Sequence, residues 1–178
     1  MLRGPIDEIS GRNRLAKAGH CMAECRLFIV CGLPGSGKTT YAKQLECRFN
    51  AVRFCPDEWL ADLALNLYDE MRRSRIEALQ WGLAKSLLVH GVPVIIEWGT
   101  WGRPERDALR IGAREIGVSV ELHYLSAPID VLYERIRERG AEKPAIQISE
   151  LQKWAEAFQE PTSEELALFD LPLNSESA

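Results

Sequence analysis

Eight residues in the first quarter of the chain carry the plainest chemistry: Gly32-Leu33-Pro34-Gly35-Ser36-Gly37-Lys38-Thr39 fits the pattern G-x-x-x-x-G-K-[ST], and Thr40 follows. A loop of this composition can wrap its backbone N–H groups around phosphate oxygens, because side chains at Gly32, Gly35 and Gly37 would block the close approach or the φ values it needs. The lysine then reaches the β- and γ-phosphates of a nucleotide, and the Thr39 hydroxyl suits a hard cation such as magnesium. The setting strengthens the reading. An apolar run precedes the loop and a helical stretch follows it, so the positive end of a helix dipole points at the anion. A glycine-rich turn that merely caps a helix does not require Lys followed by Thr. The candidate nucleotide-binding set is Gly32, Pro34, Gly35, Ser36, Gly37, Lys38, Thr39 and Thr40, with ATP and magnesium as the expected cofactors.

Such a loop needs a strand to deliver it and a sheet to hold that strand. Short apolar runs at residues 27–31, 52–55, 92–98 and 118–125 read as strands, and their near-continuous apolar character suits a sheet covered on both faces. Residues 38–49, 58–68, 70–90, 104–116 and 128–139 read as helices. In the long one, Ile76, Leu79, Leu83 and Leu87 recur at three- and four-residue spacing and predict an apolar stripe against the sheet. Gly91, Gly117 and Gly140 fall just past helices, where a left-handed residue is expected, and Pro104 and Pro128 fall at helix starts. The alternation predicts an α/β fold of three layers with a mainly parallel sheet and right-handed crossovers. Its active crevice belongs at the carboxyl ends of the strands. Residues 1–24 lack periodicity and read as a flexible extension, which leaves 25–178 for a single domain.

Four segments in this order resemble a known family: GLPGSGKTT at 32–40, PDEW at 56–59, VPVIIEWGTW at 92–101 followed by GRPERD, and YERIRERG at 133–140. They are similar to the small AAA_33-type P-loop kinases, relatives of chloramphenicol phosphotransferase, zeta toxins and the kinase half of polynucleotide kinase. The likeness runs over about residues 26–170. It implies a P-loop NTPase fold with a helical lid, and transfer of the γ-phosphate of ATP to a hydroxyl.

The resemblance also implies roles for particular residues. Asp57, opening the helix after the second strand, is the expected general base, with Glu58 as the weaker candidate; by residue type alone, an Asp at a helix start is a cap. Glu97, ending the third strand, is expected to help hold magnesium through water, where the family more often has Asp; a buried structural glutamate is the alternative. Arg135 and Arg139 lie one helical turn apart in the lid and would face the phosphates together. Arg137 can equally complement the helix dipole. Arg103 and Arg106 are placed to contact acceptor or phosphate, with a solvated helix surface as the other reading of Arg106.

Trp98 and Trp101 flank Gly99 and Thr100 at the same strand end. Trp98, nearer the strand, is expected to pack beneath a helix; Trp101, in the loop, is expected to meet a flat or apolar acceptor. The expected substrate-binding set is Asp57, Trp101 and Arg103. A net charge of −4 over 178 residues, with no long basic stripe, weighs against an extended nucleic-acid strand. A small hydroxylated acceptor is therefore expected. The alternatives are a nucleotide or 5′-hydroxyl polynucleotide kinase, and a nucleotide-dependent regulatory ATPase. No apolar run approaches the roughly 18–20 residues that cross a bilayer. The first twenty residues contain Arg3, Arg12, Arg14 and Lys17 but no apolar signal core. The five cysteines, Cys21, Cys25, Cys31, Cys47 and Cys55, are irregularly spaced and fit reduced thiols in a cytoplasmic protein. Glutamates at 150–160 and at Glu164 and Glu165 read as ordinary helical faces.

Overall fold

The computed structural model describes residues 25–140 and 145–173. The extension expected at 1–24 lies outside them, as do Lys143 and Pro144 of the expected lid. Strand β1 (Arg26–Cys31) sends Leu27 and Ile29 into one core and Phe28 and Val30 into another. Burial on both faces explains why the run is apolar at successive positions. With β2 (Val52–Phe54), β3 (Val94–Gly99) and β4 (Ser119–Tyr124) it forms a sheet of order β2-β3-β1-β4, in which every pairing is parallel.

Parallel neighbours need crossovers, which helices supply. Helix α1 (Lys38–Phe49) covers one face, where Ala42 and Leu45 meet Phe28, Val30 and Ile95. After the short α2 (Pro56–Asp62), α3 (Glu70–Val89) and α4 (Arg103–Arg114) cover the other; Ala84, Leu88, Leu109 and Ala113 there meet Leu27, Ile29, Ile96 and Val120. This is the three-layered α/β architecture that the strand–helix alternation predicts. Helices α5 (Ile129–Arg139) and α6 (Ile148–Ala157) build a third, smaller core from Leu132, Ile136 and Leu151, and Leu33 of the phosphate loop packs against it. The lid is expected in and just beyond α5, and α5 packs directly against the loop. No described helix is long and apolar enough to cross a membrane.

Helix α3 differs from the expected stripe. Its buried residues are Ile76, Gln80, Ala84 and Leu88, spaced by four, while Leu79 and Leu83 are 63% and 50% exposed. The helix rests on the sheet along one i±4 ridge, and the small Ala84 lets the backbones approach where a leucine row would hold them apart. The helix expected at 58–68 closes at Asp62, because Ala64 takes φ 53, outside helical geometry.

Two readings of charged residues are corrected by burial. Arg106 is 0% exposed and neither solvated nor free to meet an acceptor: its Nε donates to Glu165 Oε1 at 2.6 Å, Nη2 to Oε2 at 2.9 Å, and Nη1 to the Thr100 carbonyl at 3.0 Å. Glu165, on the four-residue α7 (Ser163–Leu166), is 1% exposed and is no surface residue. The bidentate pair ties the turn after β3 to the C-terminal segment, whose Asp170 exchanges backbone and side-chain hydrogen bonds with Val120 of β4. Removing one partner of a buried pair strands the other's charge. Glu165→Ala should therefore cost about 3–5 kcal/mol of stability, read as a lowered urea midpoint, and adding Arg106→Met should recover most of the loss.

Candidate active site

β1 delivers the chain into the phosphate loop at Gly32, and the loop is tightly walled. A Cβ at Gly32 would run into the Leu125 carbonyl oxygen; one at Gly35, at φ 80, would come within 2.6 Å of the Leu132 carbonyl oxygen. Glycine is required here by both space and conformation. Helix α1 begins at Lys38 with no capping side chain and no acid in its first turn, so its first N–H groups are left for an anion. Ser36 Oγ, in the same loop, is buried without a partner. Lys38 Nζ donates to the Leu33 carbonyl at 3.0 Å; burial pulls its pKa below the ordinary lysine value, against the opposing pull of the Glu97 and Asp57 carboxylates.

Glu97 ends the buried part of β3 and is 5% exposed. Thr39 Oγ1 donates to its Oε1 at 2.5 Å, and Arg53 Nη1 of β2 donates to its Oε2 at 2.8 Å. Arg53 also grips both oxygens of Glu58 at 2.7 Å. The hydroxyl and carboxylate oxygens side by side are the hard donors that magnesium takes. Among the described residues no cluster of three or more His, Cys, Asp or Glu offers an all-protein cage. Sequence reasoning missed Arg53, whose signal is a lone cation inside the apolar run 51–55.

Asp57 opens α2 without capping it. Its carboxylate, 60% exposed, pairs instead with Arg73 Nη2 of α3, and Arg73 Nη1 lies 3.8 Å from Glu77. Burial pushes the Glu77 carboxyl up to about 7, opposed by Arg73 and reinforced by the charges of Glu105 and Asp57. Beside these groups opens a cavity of about 260 Å³, lined among others by Glu77, Trp81, Trp98, Thr100, Glu105 and Leu109. Nothing in the local pattern singled out Arg73 or Glu77, which belong to a charged stretch that reads as a solvated helix face.

Trp98 packs against the core that α3 and α4 cover, as its place in the strand leads one to expect. Trp98 lines the cavity, whereas Trp101 rests edge-on against Trp154 of α6 with ring centroids 6.2 Å apart and is not among the lining residues. Gly99 and Thr100 between them both take positive φ, 94 and 38, so the strand's alternation does not carry through to Trp101. Arg103 is exposed and pairs with Asp107 of its own helix at 3.4 Å, and its backbone N–H is held by Gln159 Oε1. Arg135 Nη1 reaches the Gly35 carbonyl at 3.4 Å, so one lid arginine touches the loop; Arg139 stands a turn further along α5.

Fold and loop together define a nucleotide-binding domain of the kinase-like P-loop class. Residues 27–161 match the AAA_33 family, described as an AAA domain, and the chain belongs to that family. Solved structures share the fold. A chain of the Pnkp1/Rnl/Hen1 RNA repair complex superposes with a TM-score of 0.66 at 22% identity over 83% of this chain and 47% of that one, so the present chain spans just under half its length. A sugar kinase from Janibacter sp. HTCC2649 gives 0.58 at 25% identity, covering 79% and 82% of the two chains. A gluconokinase from Sinorhizobium meliloti 1021 gives 0.55 at 22% identity, covering 77% of each. No curated protein matches at a significant level.

The raised Glu77 pKa has a consequence for stability. The folded chain holds this proton more tightly than the unfolded one, so the contribution favours folding below pH 4.5 and is lost as pH rises through about 7. Glu77→Gln should raise the melting temperature relative to wild type at about pH 8 and change it little at about pH 4. Equal shifts in scanning calorimetry at both values would show that the glutamate charge is not penalised.

Proposed function

We propose that the chain is an ATP-dependent, magnesium-requiring phosphotransferase that moves the γ-phosphate to a hydroxyl of a small molecule. The observation that carries this reading is the ion-pair chain beside the phosphate loop: Asp57, at the start of α2, pairs with Arg73, and Arg73 lies 3.8 Å from Glu77 of the cavity wall. A carboxylate between a phosphate cradle and a small cavity is where a general base belongs. The nucleotide lies with its phosphates in the loop at residues 32–39, and Lys38 exchanges the Leu33 carbonyl for phosphate oxygens. The acceptor hydroxyl gives its proton to Asp57 as its oxygen bonds to the γ-phosphorus, and the bond from that phosphorus to the bridging oxygen breaks to leave ADP.

Arg73 keeps Asp57 aimed, and Arg53 fixes the Glu97 carboxylate beside Thr39. Magnesium, held by the Thr39 hydroxyl and through water by Glu97, would neutralise the phosphate charge when bound. Arg135, already at the loop, and Arg139 add positive charge where the transferring group is most negative. Trp101 and Arg103, turned to Trp154 and Asp107, receive no acceptor contact in this scheme. The carboxylates of Glu77 and Glu105 at the cavity would repel a phosphate-rich strand, which supports a small acceptor over a polynucleotide. Free thiols at Cys25, Cys31, Cys47 and Cys55 suit the reducing cytoplasm, where ATP is available.

Lys38→Ala should abolish ATP turnover and weaken nucleotide binding while the far-ultraviolet circular dichroism stays unchanged; wild-type affinity and turnover would remove the loop from the mechanism. Asp57→Asn should keep ATP affinity and slow transfer by about 10²–10⁴-fold, measured with labelled ATP on a panel of sugars, amino alcohols, nucleosides and 5′-hydroxyl oligonucleotides. Transfer confined to the oligonucleotides would overturn the small-acceptor reading.

A further inference from the structure

The cavity walled by Glu77, which shares Arg73 with Asp57, has a composition that phosphate transfer alone does not require. Its wall holds two carboxyl groups, Glu77 from α3 and Glu105 from α4, and two indoles, Trp81 and Trp98, with no Lys or Arg among the lining residues. Glu105 stands in the first turn of α4, where a helix dipole favours an anion, and by itself would signify little. Glu77 has no such excuse: it lies within α3, its side chain is 25% exposed, and Arg73, 3.8 Å from it, is shared with Asp57.

The same wall contains a buried donor without an acceptor. Trp98 Nε1 is buried and unpartnered, and Thr100, 3% exposed, has a hydroxyl that makes no hydrogen bond beyond its contact with the Cys31 thiol. A buried donor left unpaired is costly, so a ligand oxygen reaching Trp98 Nε1 would be favoured. Carboxylates and indole faces together attract an ammonium group. The Trp81 ring already takes one, the Lys85 ammonium lying 5.7 Å from its centroid. Gly112 of α4 leaves room for that indole, since a Cβ there would come within 2.9 Å of Trp81 Cζ2. At about 260 Å³ the space falls at the small end of ligand cavities, roughly 300–1,000 Å³, and suits a single ring or a short chain.

We propose that this cavity binds the ammonium group of a small amino alcohol or amino sugar, between Glu77, Glu105 and the two indoles, and that the molecule's hydroxyl is thereby presented to Asp57. The inference rests on the phosphotransferase reading for its reaction and on the cavity for its specificity, and two separate measurements distinguish them. Binding is read without nucleotide, by tryptophan fluorescence and calorimetry on the intact chain, with ethanolamine and glucosamine against their uncharged counterparts ethylene glycol and glucose. Transfer is read with labelled ATP and the same four compounds.

The amines should bind at least about tenfold more tightly than their counterparts, and Glu77→Gln with Glu105→Gln should remove most of that preference while leaving ATP affinity within about twofold. The single Glu105→Gln, at an exposed position, carries the test should the double variant fail to fold, with a smaller loss expected. Equal binding of amines and counterparts, or a preference untouched by these substitutions, overturns the cation site. Transfer to glucose in preference to glucosamine overturns it too and leaves the phosphotransferase reading intact. Amine binding lost in the variants, with no transfer to any hydroxyl, overturns the phosphotransferase reading and leaves the cation site standing.

Discussion

Glu97 brings two oxygens to the buried end of β3, and a different element claims each. Thr39 of the phosphate loop takes one and Arg53 of β2 takes the other. A carboxylate buried this deeply is tolerable only if both oxygens are satisfied, so the loop, the edge strand and the central strand are held to one another at the place where phosphate chemistry would occur. The same guanidinium continues to Glu58, next to Asp57, and Asp57 continues through Arg73 to Glu77. Two carboxylate–guanidinium–carboxylate chains thus run from the loop to the cavity wall and meet at the neighbouring Glu58 and Asp57. The position of α2, and with it the candidate base, follows from how Glu97 is neutralised.

A second constraint comes from the loop's need to keep its N–H groups pointing inward. Packing enforces it: the Leu125 carbonyl stands against Gly32, and the Leu132 carbonyl and the Ile136 side chain stand against Gly35. Because Leu132 and Ile136 belong to α5, the helix that carries Arg135 and Arg139 is also a wall of the loop. A change in α5 is therefore felt at the phosphates through direct contact. On the other side, the buried Arg106–Glu165 pair anchors the Thr100 carbonyl, and Thr100 is part of the cavity. The C-terminal segment shapes the proposed acceptor site without touching the reaction centre.

The fold and the site answer different questions. A parallel sheet with a phosphate loop after β1 is shared by neighbours that include a sugar kinase and a chain of an RNA repair complex. Architecture of this kind hosts many acceptors. On the proposed reading, what would separate this chain's acceptor from others is local: the carboxylates of Glu77 and Glu105 and the indoles of Trp81 and Trp98 that line the cavity. Those features belong to side chains of α3, α4 and the end of β3, outside the loop that marks the family.

The phosphate loop was legible from residue order alone, because a strand, three constrained glycines and a Lys-Thr pair must be contiguous to work. The strands and most helices were legible for the same kind of reason: apolar runs and turn residues act within a few positions of themselves. Asp57 and Glu97 were singled out by the family resemblance, which marks the acids that follow the second strand and end the third. The partners that give those carboxylates their setting were not. Arg53 meets Glu97 across 44 positions, Arg106 meets Glu165 across 59, and Asp57 meets Arg73 across 16; no periodicity links residues so far apart. The α3 stripe shifted to Ile76, Gln80, Ala84 and Leu88 because close approach to the sheet favours a small residue over a leucine. Trp98 packs against the core under α3 and α4, as its place in the strand predicts, while two consecutive positive-φ residues separate it from Trp101, which meets Trp154. Sequence determined which local conformations were available; the tertiary structure decided which charges would meet, since pairing buried groups depends on how elements dock and not on their order along the chain.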